Sequence, residues 1–288
     1  MILIATLGGL GALLGWGLSD YFAGKCGQQV SALLTNLVLQ SVGLAILLPI
    51  VLWKGLPLEL NMTLLVIAAS AAFFTIAHLA FIRAMAIGPF GVAAPIGNAY
   101  ALITLFIGIT FFHLEFSPAQ LVALLSIIVG VLMLAADRTT FDYRKFRGST
   151  AAFALITMVC WGLAFSLIDT VVADFAWYQL TFLIGTFVVS FSLIVYVIGH
   201  KGLPKWSTLK YSRIPQAWHA GLLAVIGFIS FFSASEQVGS VVIPAIIASA
   251  SPLVTSFMAY TRDKERLPLY KRIGAVIIVA GLVTLNIW

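Results

Sequence analysis

The sequence predicts an all-α integral membrane protein of ten transmembrane helices in two inverted five-helix repeats. Three observations predict it. First, hydrophobic residues make up 61% of the 288 and charged residues only 9%, with a mean hydropathy of +1.09. A soluble domain carries about 25% charged residues. Second, ten apolar stretches can be marked, each near the ~20 residues needed to cross a bilayer as a helix. Third, fifteen of the sixteen Lys and Arg residues fall in alternate gaps between those stretches or at the span ends that border them. Short basic loops stay cytoplasmic, so the odd-numbered loops are predicted inside and both termini outside.

The stretches follow in order. Span one, Ile2–Tyr21, lacks a basic n-region and a small-residue cleavage site after a short apolar core, so it reads as a retained helix rather than a signal peptide. Its Gly11 and Gly15 form a GxxxG pair, which lets a second helix approach closely. Lys25 follows it. Span two, Ala32–Trp53, ends at Lys54, the single basic residue outside the odd loops. Span three, Met62–Met85, contains His78 and, near its inner end, Arg83, whose position suits snorkelling. Span four, Val92–Phe112, is loosened by Pro95 and Gly97. Span five, Pro118–Ala136, opens on a proline, a favoured first helical residue. The loop Asp137–Ser149 carries Arg138, Arg144, Lys145 and Arg147. Span six, Thr150–Asp169, and span seven, Tyr178–Gly199, precede a gap with Lys201, Lys205, Lys210 and Arg213. Span eight is Gln216–Glu236. Span nine, Val241–Tyr260, contains Pro244 and Pro252. Arg262, Lys264 and Arg266 precede span ten, Leu269–Trp288, which starts with Lys271 and Arg272. Neither long gap can fold into a domain of its own. Residues 1–136 and 150–288 therefore form two repeats of one membrane unit, joined by the cytoplasmic loop 137–149.

The chain repeats itself at a spacing of roughly 150 residues. Trp16-Gly17-Leu18 recurs as Trp161-Gly162-Leu163, Gly88 as Gly239, Glu115-Phe-Ser-Pro118 as Glu265-Arg-Leu-Pro268, and Gly130 as Gly281. Five spans is an odd number, so the second half enters the membrane from the opposite side. Inverted repeats of this kind build transporters, with the substrate near the midplane between the halves. Together, the five-plus-five spans, the Trp-Gly in the first span of each half and the Glu-x-x-Pro before a glycine-bearing last span resemble the drug/metabolite transporter superfamily, EamA type. Ser251-Pro252, Glu265, Gly274 and Gly281 follow that family's C-terminal pattern. The first half departs from it at Ala101-Leu102, where a Ser-Pro pair often stands, and at Arg83, which replaces an aromatic residue before Ala84. The resemblance implies transport of amino acids, drugs or other metabolites, and leaves the substrate open.

The polar residues inside the spans carry the functional expectations, because an ionisable group in a bilayer costs several kcal/mol and is read first as functional. Asp20 lies four residues after Trp16, on the same helical face. It either contacts a cationic group or carries a proton, or it is a helix end wetted by the cytoplasm. His78, flanked by Phe74 and Phe81, either titrates during transport, with an unperturbed pKa of ~6.5, or is a neutral histidine bonded across a helix interface. Asp20 and His78 are the candidates for coupling or proton relay. Trp16 and Trp161 lie inside their spans rather than at the interface where Trp concentrates. They are expected to wall a cavity and stack on a planar or cationic ligand, the alternative being lipid-facing or packing roles. Broken helices are tolerated only against a cavity or a neighbouring helix, so spans four and nine are expected to line the site. Tyr100 with Thr104 makes one polar face, and Ser251 with Thr255 another. Asn98 is a further candidate. Asn98 and Tyr100 are two apart, so on an unbroken helix they point in nearly opposite directions and cannot line one cavity. Asp169 and Glu236 read as solvated helix ends, and Glu115 and Glu265 as turn and capping residues.

These residues favour a secondary transporter without cofactor or metal. Its expected partners are a small amphipathic metabolite, membrane lipids and protons as the coupling ion. It is expected in the cytoplasmic membrane as a monomer or weak homodimer. No Walker loop appears, and His78, His113, His200 and His219 are scattered, so the constellation an enzyme needs is missing. A lipid or headgroup flippase of the same fold, or a lipid-modifying membrane enzyme, is the alternative. The net charge of +6 lies beside helix ends, where it meets anionic head groups, and does not point to nucleic acid. Cys26 and Cys160 lie at different depths and are not expected to pair.

Overall fold

The computed structural model describes residues 1–56, 61–135, 150–265 and 268–287, which contain helices and turns and no strand. The connecting loop 137–149, with its four basic residues, and Arg266 lie outside the described residues. In chain order the helices are α1 (Ile2–Gly27), α2 (Ala32–Lys54), α3 (Met62–Ile87), α4 (Phe90–Asn98), α5 (Ala101–Phe111), α6 (Pro118–Ala135), α7 (Thr150–Asp169), α8 (Trp177–His200), α9 (Trp206–Leu209), α10 (Pro215–Val238), α11 (Val242–Ala248), α12 (Pro252–Arg262) and α13 (Leu269–Ile287). Counting α4 with α5 and α11 with α12 as single crossings, nine helices among the described residues are long and apolar enough to span a membrane. A tenth apolar helix, Pro118–Leu134, is shorter. The α1 helix runs one and a half turns beyond the expected Tyr21. Cys26, expected in a loop, is therefore buried at its end, and both cysteines are free.

Local chemistry explains the helix ends. The Ser31 hydroxyl accepts from the Leu34 amide (3.2 Å) and the Asn61 side chain from the Leu64 amide (3.0 Å), so each caps the helix that follows it. Ser117 and Gln120 form a reciprocal capping box ahead of α6. Glu115 is exposed and is not part of it. Gly239 ends α10 in the left-handed region at φ 76°, which glycine adopts without penalty. Its repeat partner Gly88 is extended instead. A Cβ there would collide with the Thr150 side chain, so this glycine serves packing.

Helices pair chiefly across the two halves of the chain: α1 with α10, α3 with α7, α2 with α8 and α6 with α13. Small residues set the close pairs, as lipid-embedded helices require. A Cβ on Gly15 would lie 2.8 Å from the Gly227 amide nitrogen, and one on Gly11 would lie 2.6 Å from Ser230 Cβ. The GxxxG face of α1 therefore meets α10. On the far side, Gly130 faces the Gly274 backbone and Gly281 faces the Ala123 backbone.

The predicted fourth and ninth spans are each two helices. Pro95 has no N–H, so the Gly91 carbonyl four residues back loses its helical donor. The Lys271 ammonium, buried on α13, donates to that carbonyl. Two tethers join the breaks. The Tyr100 hydroxyl donates to the Ala245 carbonyl (3.1 Å), and the Ser251 hydroxyl donates to Asn98 Oδ1 (3.0 Å).

Candidate functional site

Among α1, α2, α3, α7, α10 and the α4/α5 break lies a cavity lined on one side by Asp20, Ser19, Asn98 and Tyr100, and elsewhere by aromatic rings interspersed with aliphatic side chains such as Leu39, Ile82 and Ala224. The space open to the centre of a water-sized sphere is ≈ 40 Å³, room for about three waters. A molecule larger than a few waters fits only if the helices part.

The α1 helix supplies Trp16, Ser19 and Asp20, one turn or less apart. Ser19 is anchored by donating to the Ala220 carbonyl on α10 (2.8 Å). Asp20 is partly exposed and lines the cavity. Its carboxyl lies beside the Asn98 side chain and within electrostatic reach of Tyr100. Asn98 Nδ2 also donates to the Ala94 carbonyl (3.0 Å), and its Oδ1 accepts from Ser251. The amide thus links Asp20 to both broken helices.

His78 lies on the facing α3 wall. Its Nδ1 is 2.8 Å from the Phe74 carbonyl. A carbonyl can only accept, so Nδ1 carries the proton and Nε2 is left as the acceptor nitrogen. An aromatic arc completes the wall. Trp16 packs on Phe165 (5.9 Å between centroids), Phe165 stacks on Tyr100 (4.9 Å), and Tyr100 meets Trp161 edge-on (5.8 Å). Trp161 also touches Phe81 and His78. The two tryptophans stand at the two ends of this arc. Trp16 Nε1 is buried without an acceptor among the described residues, its ring lying against Gly227.

Of the nine sequence candidates, the cavity gathers Trp16, Asp20, His78, Asn98, Tyr100 and Trp161. The expectation that Asn98 and Tyr100 cannot share a cavity is corrected. The helix breaks at Ala99–Tyr100, so the spacing rule for a continuous helix does not hold across it. Thr104, Ser251 and Thr255 are not brought to the wall. Thr104 donates to the Tyr100 carbonyl (3.3 Å), Thr255 to the Gly17 carbonyl (2.9 Å), and Ser251 to Asn98. All three brace the backbone beside the site. Phe74, Phe165 and Phe228 line the cavity and were not among the candidates. Phe74 and Phe165 lie four residues from His78 and Trp161, so the helical period carried a signal for both.

At the end of α1 beyond Asp20, Lys25 forms an ion pair with Asp263 (2.8 Å), and the Tyr21 hydroxyl donates to the same carboxylate (3.3 Å). Glu265 accepts from the Phe90 and Gly91 amides (3.3 and 3.2 Å), capping α4 rather than its own following helix. At the opposite end of the bundle, Asp169 accepts from Ser240 Oγ and the Val241 amide (2.8 and 2.6 Å), and Glu236 from the Trp177 amide (2.9 Å). Read as solvated ends, both acids in fact cap neighbouring elements.

This is a multi-pass membrane protein with an internal polar and aromatic cavity. The profile of the EamA-like transporter family matches residues 3–136 and 148–287, and the chain belongs to that family. One similar solved structure, described only as "Crystal structure of protein", has a TM-score of 0.73 at 16% identity, covering 98% of this chain and 96% of that one. At that identity the likeness shows the fold alone. No curated protein matches the sequence.

Proposed function

We propose that the protein is a secondary transporter of ten spans in two inverted repeats. It moves a small amphipathic metabolite, an amino acid or an aromatic or cationic compound, outward across the cytoplasmic membrane by alternating access. The observation that carries this reading is the cavity that joins Asp20, Asn98, Tyr100 and His78 to two tryptophans contributed by the two halves. A carboxylate beside aromatic faces suits a cation, which rings attract by their quadrupole. Two observations support the inverted repeat. Exchanging each helix for its counterpart five spans away turns the α1–α10 pair into the α7–α3 pair and leaves α2–α8 and α6–α13 unchanged. The same exchange turns the contact of Gly130 with Gly274 into that of Gly281 with Ala123. A self-complementary seam of this kind is what a two-fold axis produces. The basic odd loops support placing both termini outside.

Purified protein in proteoliposomes tests the reading. Efflux of loaded amino acids or organic cations, accelerated by an opposing proton gradient and without ATP, is the expected result. Phospholipid scrambling without solute efflux would move the reading to a flippase.

A further inference from the structure

A second compartment adjoins the central cavity and has no part in the account above. It lies between α2, α3, α8 and α10, and it shares a wall with the central cavity formed by Leu39, Phe74, His78, Ala224 and Phe228. Beyond that wall its lining is almost wholly apolar, with Leu44, Leu47, Ile184 and Val188 facing one another from α2 and α8. The space open to the centre of a water-sized sphere is ≈ 20 Å³, so a chain is admitted only as the helices part. Of the glycines that line it, Gly43 leaves room and Gly185 is closely packed. A Cβ on Gly43 would stand 3.6 Å from Val225, an ordinary contact, so any longer side chain there projects into the compartment. A Cβ on Gly185 would approach the tip of Leu44 at 3.0 Å.

Two polar side chains interrupt this lining, Thr181, whose hydroxyl donates to the Trp177 carbonyl (2.6 Å), and Gln40. Gln40 lines the compartment next to Leu39, at the junction with the central cavity. It is only 8% exposed, and among the described residues its amide has no hydrogen-bond partner. Its amide atoms are not among the fully buried ones left without a partner, so the amide reaches open space, where it is free to pair with a ligand group. His78 Nε2 belongs to the same junction, since its Nδ1 is held by the Phe74 carbonyl.

We infer that this compartment is the tail site of the transported substrate, and that the substrate is a cationic amphiphile: a positive head at Asp20, a hydrogen-bonding neck at Gln40, and an apolar chain running between α2 and α8. The inference rests on the transporter reading of the central cavity and adds the substrate's shape to it. Gly43 and Val188 then set how long a chain is accepted.

Choline esters from acetyl to octanoyl are suitable probes, because they keep one fixed charge and one ester neck while the chain grows. Binding to the full-length protein in nanodiscs is read from tryptophan fluorescence, and transport from counterflow in proteoliposomes. In the wild type, affinity should rise with each methylene, by at most about fourfold where the chain is fully buried. Gly43→Leu and, from the facing helix, Val188→Phe should each collapse the octanoyl-to-acetyl affinity ratio towards one. That ratio is read in whichever variant stays monodisperse, and it is insensitive to the fraction of folded protein. Gln40→Leu should weaken all the esters several-fold and leave the length dependence in place. A ratio unchanged in both Gly43→Leu and Val188→Phe would assign the compartment to packing or lipid and overturn the tail site. Absence of binding by any ester would overturn the cationic head as well. Length-dependent binding without counterflow would instead sink the transport reading while keeping the compartment.

Discussion

Asn98 bonds two partners and stands beside a third, and its removal tests the site at the scale of one side chain. Asn98→Ala strands the buried Ser251 hydroxyl and removes the amide beside the Asp20 carboxyl. A loss of about 1–3 kcal/mol is expected, visible as a lower melting temperature in detergent, together with weaker solute binding. Asp20→Asn and His78→Ala should each abolish transport or remove its pH dependence while leaving the protein folded. Wild-type pH profiles in both would leave uncoupled facilitated diffusion. The candidates that sequence alone brought to the cavity carry polarity or bulk that is costly at membrane depth, Asp20, His78 and the two tryptophans, or flank the proline-loosened break of span four, Asn98 and Tyr100. Thr104, Ser251 and Thr255 were misplaced because their hydroxyls are spent within the protein, Thr104 on a carbonyl one turn back, Thr255 on the Gly17 carbonyl and Ser251 on the Asn98 side chain. A shared helical face does not reveal whether the hydroxyl is spent there. The phenylalanines escaped because apolar residues in an apolar helix carry no contrast.

Single helices show the same division. Where glycine spacing is regular, as at Gly11 and Gly15, the sequence foretells a close helix contact, although only the structure names α10 as the partner. Gly15→Val should force α1 from α10, because its Cβ meets backbone rather than a yielding side chain. Overpacking of this kind costs about 1–3 kcal/mol or more, measurable as a fall in thermal stability with no change in the cavity residues. The break of span four was half legible. Pro95 marked it, but the compensating donor, Lys271, comes from nearly two hundred positions later in the chain. Its charge belongs to the basic pattern that set the topology, and its burial follows from a carbonyl that only the folded bundle presents. Glu265 behaves alike. Expected to cap the helix after it, it caps α4 instead.

The whole molecule was the most legible level, because charge alternation and span length act over many residues and average out local accidents. The proposed topology, with both termini outside, has its own test. A C-terminal alkaline phosphatase fusion should be active and a C-terminal fluorescent-protein fusion dark. The reverse result sinks the assigned sidedness. Hidden at this level was which helices touch. The repeat announced two halves, yet it gave no sign that almost every principal helix pair joins one half to the other.

That interleaving bears on biosynthesis. When α1 to α6 have left the ribosome, the glycine face of α1 has no α10 to meet, α3 has no α7, and Gly130 has no Gly274. The nascent first half is therefore expected to be inserted but not assembled, with the core closing only once the last helices arrive. Expressed alone, residues 1–136 should be degraded rapidly by membrane proteases. Co-expressed with residues 150–288, both fragments should persist and co-purify. A stable first half on its own would show that each repeat matures independently, contrary to the partner exchange that defines this bundle.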